Sequence, residues 1–356
     1  TVDEGSGAVT LTGTAATLEV RGALRPAVSG GHSAEAGDAL ADVDGRVWIQ
    51  LRRRGIGDVP AFVRPEYAAG WLSQVGDPGP LLGLPAAAGL DDDGVALRER
   101  RSRAYAEVQE HYYDHPPRIE RGWREHLIAT DGRSYLDMVN NVAVLGRGHP
   151  VLADAVARQW RRLNTNSRFN YGSVVAFSER LAATLPDPLD TVFLVNSGSE
   201  SDDLALRLAM ATTGRHDIVA VAEAYHGWTY ATDAISTSIA DNPNALSTRP
   251  PWVHTVPSPN AYRGEHRGIE ASKYAPEAVA IIESLVAQGH PPAAFICEPF
   301  YGNAGGMALP DGYLTAVYGA VRAAGGLAIA DEVQVGYGRT GRWFWAFEQQ
   351  GVVPDI

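Results

Sequence analysis

Apolar positions in this chain fall into two regimes. Over the first 70 or so residues they alternate with polar ones at period two. Ala8-Val-Thr-Leu-Thr, Thr17-Leu-Glu-Val and Arg46-Val-Trp-Ile-Gln-Leu51 are predicted as strands on that ground. Gly30-Gly31 and Gly37-Asp38 punctuate them. The stretch Asp77-Pro-Gly-Pro-Leu-Leu-Gly-Leu-Pro reads as a linker, and the Arg/Glu-rich run from Leu97 to Tyr113 as a surface helix. From about residue 118 the pattern becomes one of short, continuous apolar runs separated by amphipathic stretches. Strands are predicted at Thr191–Val195, Ile218–Val221, Trp252–Val256, Ala294–Cys297 and Leu327–Ala330, and helices near 200–213, 275–288 and 311–324. This alternation argues for an α/β region, a mostly parallel sheet with helices on both faces, preceded by a small β-rich segment. The expected organisation is a β-rich segment over 1–75, linker and surface helix over 76–117, and the α/β region over 118–356.

Composition narrows the function. The chain has 356 residues, enough for about two domains at roughly 150 residues each. Acidic residues outnumber basic ones, 42 to 30, for a net charge of −12, so nucleic acid and anionic membrane are not the expected partners. No apolar run approaches the roughly 18 residues a membrane span needs, and the N-terminus lacks a positive-then-apolar leader pattern. The single cysteine, Cys297, excludes a disulfide within the chain and any multi-cysteine zinc site; no metal ligands are assigned, and a reducing, cytoplasmic setting is expected. Only one of the basic residues, Lys273, is lysine. A mechanism that needs a lysine amine must use it or find one outside these residues.

Four polar motifs follow predicted strands. Asn196-Ser-Gly-Ser-Glu-Ser-Asp opens a helix; Ser199 is a plausible N-cap with Asp202 three residues on, and free amides beside Gly198 suit a phosphate. Tyr225 and His226 follow Ile218–Val221, where an aromatic can stack on a planar ring. Glu298 follows Cys297, and Asp331 follows Leu327–Ala330. An acid leaving a buried strand needs a cationic or proton-donating partner. Each signal alone fits an ordinary capped helix or a satisfied core residue. Together they match a ligand with a phosphate, a flat ring and a ring nitrogen; pyridoxal 5′-phosphate has these parts, its protonated pyridine serving as electron sink.

With those residues in place, the stretch from 118 to 356 resembles the class III aminotransferases of fold type I. The resemblance rests on Asn196-Ser-Gly-Ser-Glu, Tyr225-His-Gly, Cys297-Glu-Pro and Asp331-Glu-Val-Gln-Val-Gly-Tyr-Gly-Arg-Thr-Gly, in order and at fitting intervals. It implies the large domain of a fold type I transferase that moves an amino group between an amine or amino acid and a keto acid. It also implies roles. Ser197, Gly198 and Ser199 would hold the cofactor phosphate, Tyr225 would stack on the ring with His226 beside it, and Asp331 would pair with the pyridine nitrogen. Val333 would pack on the opposite face, Gln334 would approach the ring hydroxyl, and Glu298 would lie on the substrate side. The family dimerises with active sites at the interface, so a homodimer is expected. Its Schiff-base lysine follows the aspartate and would fall past Ile356; the chain is accordingly expected to be incomplete at both ends, and inactive by itself. Lys273 is expected to be a solvated surface residue.

Within the family, Asp137-Met-Val-Asn-Asn-Val and Leu163-Asn-Thr-Asn-Ser-Arg-Phe look like the phospho-lyases that act on ethanolamine phosphate or phosphohydroxylysine. Asn140 and Arg168 are the candidate substrate residues, arginine being suited to bidentate anion binding. Residues 1–75 are similar to the end of a lysostaphin-type peptidase module, but no histidine stands near Val47-Trp-Ile-Gln, where its zinc pair would fall. Two other functional classes remain: a nicotinamide oxidoreductase, suggested by Gly336-Tyr-Gly-Arg-Thr-Gly341, and a non-catalytic dimerising segment. The first is weak, because a lone G-x-G-x-x-G needs a strand before it and a helix after it.

Overall fold

The computed structural model describes residues 2–5, 8–13, 16–27, 30–31, 33, 41–53, 94–107, 109, 113–130, 133–139, 144–166 and 168–356. They belong to two compact units, Thr1–Asn164 and Thr165–Ile356.

In the first unit, β1 (Val2–Gly5), β2 (Ala8–Thr12), β3 (Ala16–Pro26) and β4 (Ala41–Arg53) form an antiparallel sheet in chain order. The three segments with period-two alternation all lie in it. A helix, α1 (Gly94–Ala104), follows; it stops well before the predicted Tyr113. Three further strands, β5 (Ile119–Trp123), β6 (His126–Ala129) and β7 (Ser134–Leu136), form an antiparallel meander. Then comes α2 (Pro150–Arg162), where Pro150 supplies the preset φ of a first helical position and the His149 ring accepts from the Leu152 amide.

The second unit carries the chemistry. Its elements are α3 (Gly172–Ala182), α4 (Gly198–Thr213), β8 (Ile218–Val221), α5 (Tyr230–Ile235), β9 (Val253–Val256), α6 (Tyr274–Ala287), β10 (Ala294–Cys297), the short pair β11 (Phe300–Tyr301) and β12 (Met307–Ala308), α7 (Tyr313–Ala323) and β13 (Leu327–Ala330). The sheet order is β13-β10-β8-β9, all parallel. Strands buried on both faces read as unbroken apolar runs, which is why β8, β10 and β13 match their predicted bounds residue for residue.

Alternate side chains build two cores. Ile218, Ala220, Ala294, Ile296 and Ile329 pack with Ala205, Leu206 and Ala209 of α4 on one face. Val219, Val221, Phe295, Cys297 and Ala328 pack with α6 and α7 residues such as Ile282, Leu314 and Val317 on the other. Truncating a fully buried member such as Ile296 to Ala costs about 2–5 kcal/mol.

One predicted strand is corrected. Thr191–Val195 has no ladder partner among the described residues, and Phe193, Leu194 and Val195 are exposed. The flank of β13 opposite β10 is met by the end segment instead: the Ala330 amide donates to the Ile356 carbonyl at 3.0 Å, and the Asp355 amide to Ala328 at 2.8 Å. An apolar run is competent to form a strand, but pairing requires a neighbour.

Candidate active site

Three strand ends and one helix start converge at the C-terminal edge of the parallel sheet. This is the edge where open α/β folds bind ligands. The register Cys297↔Ala330 sets Glu298 and Asp331 beside each other as the chain leaves β10 and β13. The Asp331 amide donates to the Cys297 carbonyl at 3.0 Å and locks that adjacency. From the end of β8 the chain turns through Glu223, at φ 67°, and delivers His226 to the same spot.

Asp331 is buried. Its Oδ1 accepts from the Val333 amide at 3.0 Å, and its Oδ2 lies 2.7 Å from His226 Nδ1. With Nδ1 donating, the carboxylate accepts from both. The His226 amide donates to Ser236 Oγ at 2.8 Å, and Ser236 Oγ in turn donates to the Thr232 carbonyl at 2.7 Å, so α5 holds the loop in place.

Asp202, which no sequence motif marks as a ligand-binding residue, also belongs to this cluster. It sits on the buried face of α4, in line with Ala205, Leu206 and Ala209. A carboxylate on an apolar helical stripe is the signal that could have found it. Burial first, then the charges of Asp331 and Glu298, hold its carboxyl well above the usual carboxylate range, and it hydrogen-bonds Asp331. Glu298 is pushed up to about 7 by burial, with Asp331 adding to the rise and His226 and the Gly302 and Asn303 amides opposing it. Its Oε2 accepts those two amides at 3.0 and 3.2 Å. Within this cluster three buried polar atoms have no hydrogen-bond partner, Asp202 Oδ2, His226 Nε2 and Glu298 Oε1. Buried polar atoms are rarely left so, which marks the cluster as a place for a ligand.

The helix start differs from expectation. Ser197, not Ser199, is the N-cap of α4; its Oγ accepts from the Glu200 amide at 3.1 Å, and Glu200 Oε2 accepts from the Asn196 amide at 2.6 Å. The Ser-Gly-Ser turn offers two hydroxyls, each with an acid three residues on; Asp202 faces the buried cluster, whereas Glu200 reaches back to the Asn196 amide at the helix start. Ser199 is buried and accepts from the Trp228 amide at 3.2 Å, tying the helix start to the loop of Tyr225 and His226. Gly198 is required by its neighbour: a Cβ there would stand 2.8 and 2.9 Å from the two methyls of Val333.

Tyr225, 39% exposed, and Val333, 58% exposed, both reach solvent at this edge, and Gln334 is half-buried near Gly302. Glu332 turns away from the cluster: its carboxylate accepts the Ala346 and Phe347 amides at 2.9 and 2.8 Å. The Gly336–Gly341 segment forms turns and leads into a short 3-10 stretch (Ala346–Gln350), not a helix, so it lacks the frame of a dinucleotide fingerprint. Arg168 is exposed in a turn where its amide donates to Asn166 Oδ1; Asn140 lies outside the described residues. Lys273 is an exposed residue ion-paired with Glu270.

The family model for class-III aminotransferases matches residues 109–356. The chain belongs to the class III aminotransferase family. It is 40% identical over 251 residues to an alanine–glyoxylate aminotransferase 2-like protein of Drosophila melanogaster, covering 69% of this chain and 51% of that one. Among solved structures it is similar to a phospholyase from Arthrobacter in complex with phosphoethanolamine, with a TM-score of 0.66, 32% identity, and 73% and 61% of the two chains covered. It is also similar to a taurine:2-oxoglutarate aminotransferase from Bifidobacterium kashiwanohense in complex with PLP and glutamate, with a TM-score of 0.65, 25% identity, and 74% and 60% covered. The chain spans about half the length of most of the curated relatives it matches. Its class III fold is that of the fold type I PLP transferases. Among the described residues, no helix is long and apolar enough to cross a membrane.

Proposed function

We propose that this chain supplies the cofactor-binding face of a PLP-dependent aminotransferase, which moves an amino group between an amine or amino acid and a keto acid. The observation that carries the reading is Asp331, a buried acid at a strand's end, set among acids whose proximity raises the cost of charge. A pyridinium cation is the partner such a cluster lacks. The residues fit it: Asp331 keeps lone pairs beyond those used by Val333 and His226, since a carboxylate offers about four acceptor sites.

Pyridoxal phosphate, once bound, supplies the electron sink for breaking bonds at the substrate's α-carbon. The protein's residues do the rest. Asp331 would hold the ring nitrogen protonated, and His226 and Asp202 would fix the direction of its carboxylate. Ser197, Gly198 and Ser199 would bind the phosphate at the start of α4, where amides and the helix dipole favour an anion. Tyr225 and Val333 would bracket the ring, and Gln334 would approach its hydroxyl. Glu298, close to 7 in its titration, would hold or release a proton on the substrate side. Asn140 and Arg168 are the candidate substrate contacts. Exposed Trp228 and Tyr230 beside the site support a homodimer, and the lone buried Cys297 suits a reducing, cytoplasmic setting.

A second reading is a phospho-lyase that releases phosphate from ethanolamine phosphate or a related phospho-amine. The likeness to the Arthrobacter phospholyase favours it. One experiment separates them: the intact protein is incubated with ethanolamine phosphate and a keto acid, following phosphate release and keto-acid consumption together. Amino transfer consumes keto acid and releases no phosphate; elimination does the reverse. A protein that binds no pyridoxal phosphate, by absorbance or by quenching of tryptophan emission, would overturn both.

A further inference from the structure

The opposite edge of the same sheet carries a second cluster, unrelated to the cofactor site. Asp217 precedes β8, His254 is the second residue of β9, and His290 lies in the loop between α6 and β10. His254 Nε2 is 2.6 Å from Asp217 Oδ1, and His290 Nδ1 is 3.5 Å from the same oxygen. The two imidazoles stand with ring centroids 5.9 Å apart, and one ligand atom from each of the three residues lies within 4.8 Å of the others.

We propose that Asp217, His254 and His290 form a binding site for a divalent first-row transition ion, Zn2+ above all. The donor set is two imidazole nitrogens and one carboxylate oxygen, a borderline set that suits such ions. A simple ion pair would need one imidazole; here two aim at one oxygen, and a cation among them uses all three. Tetrahedral zinc at about 2.0–2.2 Å from each donor places donors about 3.3 Å apart. The 3.5 Å pair already has that spacing, and the 2.6 Å pair needs to open by a fraction of an ångström.

The backbone holds all three ligands. The Asp217 carbonyl accepts from the Ala293 amide at 2.7 Å, which ties the start of β8 to the start of β10. His254 is fixed by its register opposite Val219. His290 follows Gly289, whose φ of 87° closes α6 with the His290 amide on the Leu285 carbonyl at 2.9 Å. Asp217 and His254 are partly buried while His290 is exposed, so an ion enters from solvent and keeps a position open for water. The bound ion would staple three separate segments at the sheet edge away from the cofactor. The three residues share no motif spacing, so only the fold brings them together.

The test is Zn2+ titration by calorimetry into the intact protein, without pyridoxal phosphate, which itself chelates divalent ions. The expected result is one ion per chain, a melting temperature raised by a few degrees, and, for Co2+ in its place, visible bands of a tetrahedral site. His290→Ala, at an exposed position, and His254→Gln should each weaken binding by about tenfold or more while leaving cofactor binding unchanged. Absence of stoichiometric binding would overturn the proposal. So would binding that survives in the His254→Gln/His290→Ala double variant, which would assign the ion to another cluster, such as Asp202, His226 and Asp331.

Discussion

His226 and Asp331, 105 residues apart in sequence, meet through Nδ1 and Oδ2 at 2.7 Å, with the side chains 0% and 5% exposed. A pair this buried is held for direction more than for stability, since desolvation offsets much of its Coulombic attraction. Under the proposed function, the imidazole would turn the carboxylate toward the ring nitrogen of the cofactor.

Replacing Asp331 by Asn keeps the shape and removes the charge. In the intact protein kcat/KM is expected to fall by at least about 100-fold, which corresponds to about 2.7 kcal/mol of lost transition-state stabilisation. Steady-state kinetics, together with the absorbance of bound cofactor, measures it. Activity within tenfold of the parent would remove Asp331 from the role.

Gly198 and Val333 form a second coupled pair. Gly198→Ala places a methyl 2.8 Å from Val333 Cγ1, and a β-branched side chain has few rotamers to retreat into. Overpacking of this kind costs about 1–3 kcal/mol. The same displacement disturbs the surface offered to the ring, so affinity for pyridoxal phosphate should drop with stability. Gly198→Ala/Val333→Ala should recover the stability. If the double variant is no more stable than Gly198→Ala alone, the clash is not the cause.

Glu298 gives the fold a pH dependence of unusual sign. Its carboxyl is near 4.5 when unfolded and rises to about 7 in the folded chain, chiefly through burial. The folded state therefore binds more protons than the unfolded state between those values, so this residue lowers stability as pH rises from about 4.5 to about 7 and adds no further change above. Glu298→Gln removes the titration while its amide oxygen can still accept from Gly302 and Asn303. The variant should gain on the parent across that window, by an amount of order 3 kcal/mol at pH 7 and above. Urea denaturation at several pH values checks this; parallel curves for the two proteins would refute it.

The strands and helices of the second unit were legible because β8, β10 and β13 are covered on both faces, so their residues need no alternation and simply run apolar. Thr191–Val195 shows the limit of that reading. It has the same composition as its neighbours, yet strand formation depends on a partner that composition does not name. Ser197 and Ser199 show another: either could cap α4, each with an acid three residues on, and the cap falls to Ser197 because Asp202 is turned into the buried cluster while Glu200 stays at the helix start. The acids at the site were visible as polar residues at strand ends. Asp202 was not, because its place is defined by α4 packing on the sheet, and only the fold shows that an acid faces inward. Asp217, His254 and His290 were hidden for the same reason, since parallel strands bring their starts together across long connections.

Ser236 is the last residue whose role the geometry isolates. Its hydroxyl accepts from the buried His226 amide and donates to Thr232, so it transmits the position of α5 to the imidazole. Ser236→Ala leaves the His226 amide without its partner at a buried site, a loss of about 1–3 kcal/mol. Because His226 moves with its amide, the effect should reach Asp331: cofactor affinity should fall in Ser236→Ala, whereas Ser236→Ala should add no further loss in a His226→Ala background. A double-mutant cycle on cofactor affinity measures this coupling. Strict additivity of the two losses would show that Ser236 supports the fold without positioning the site.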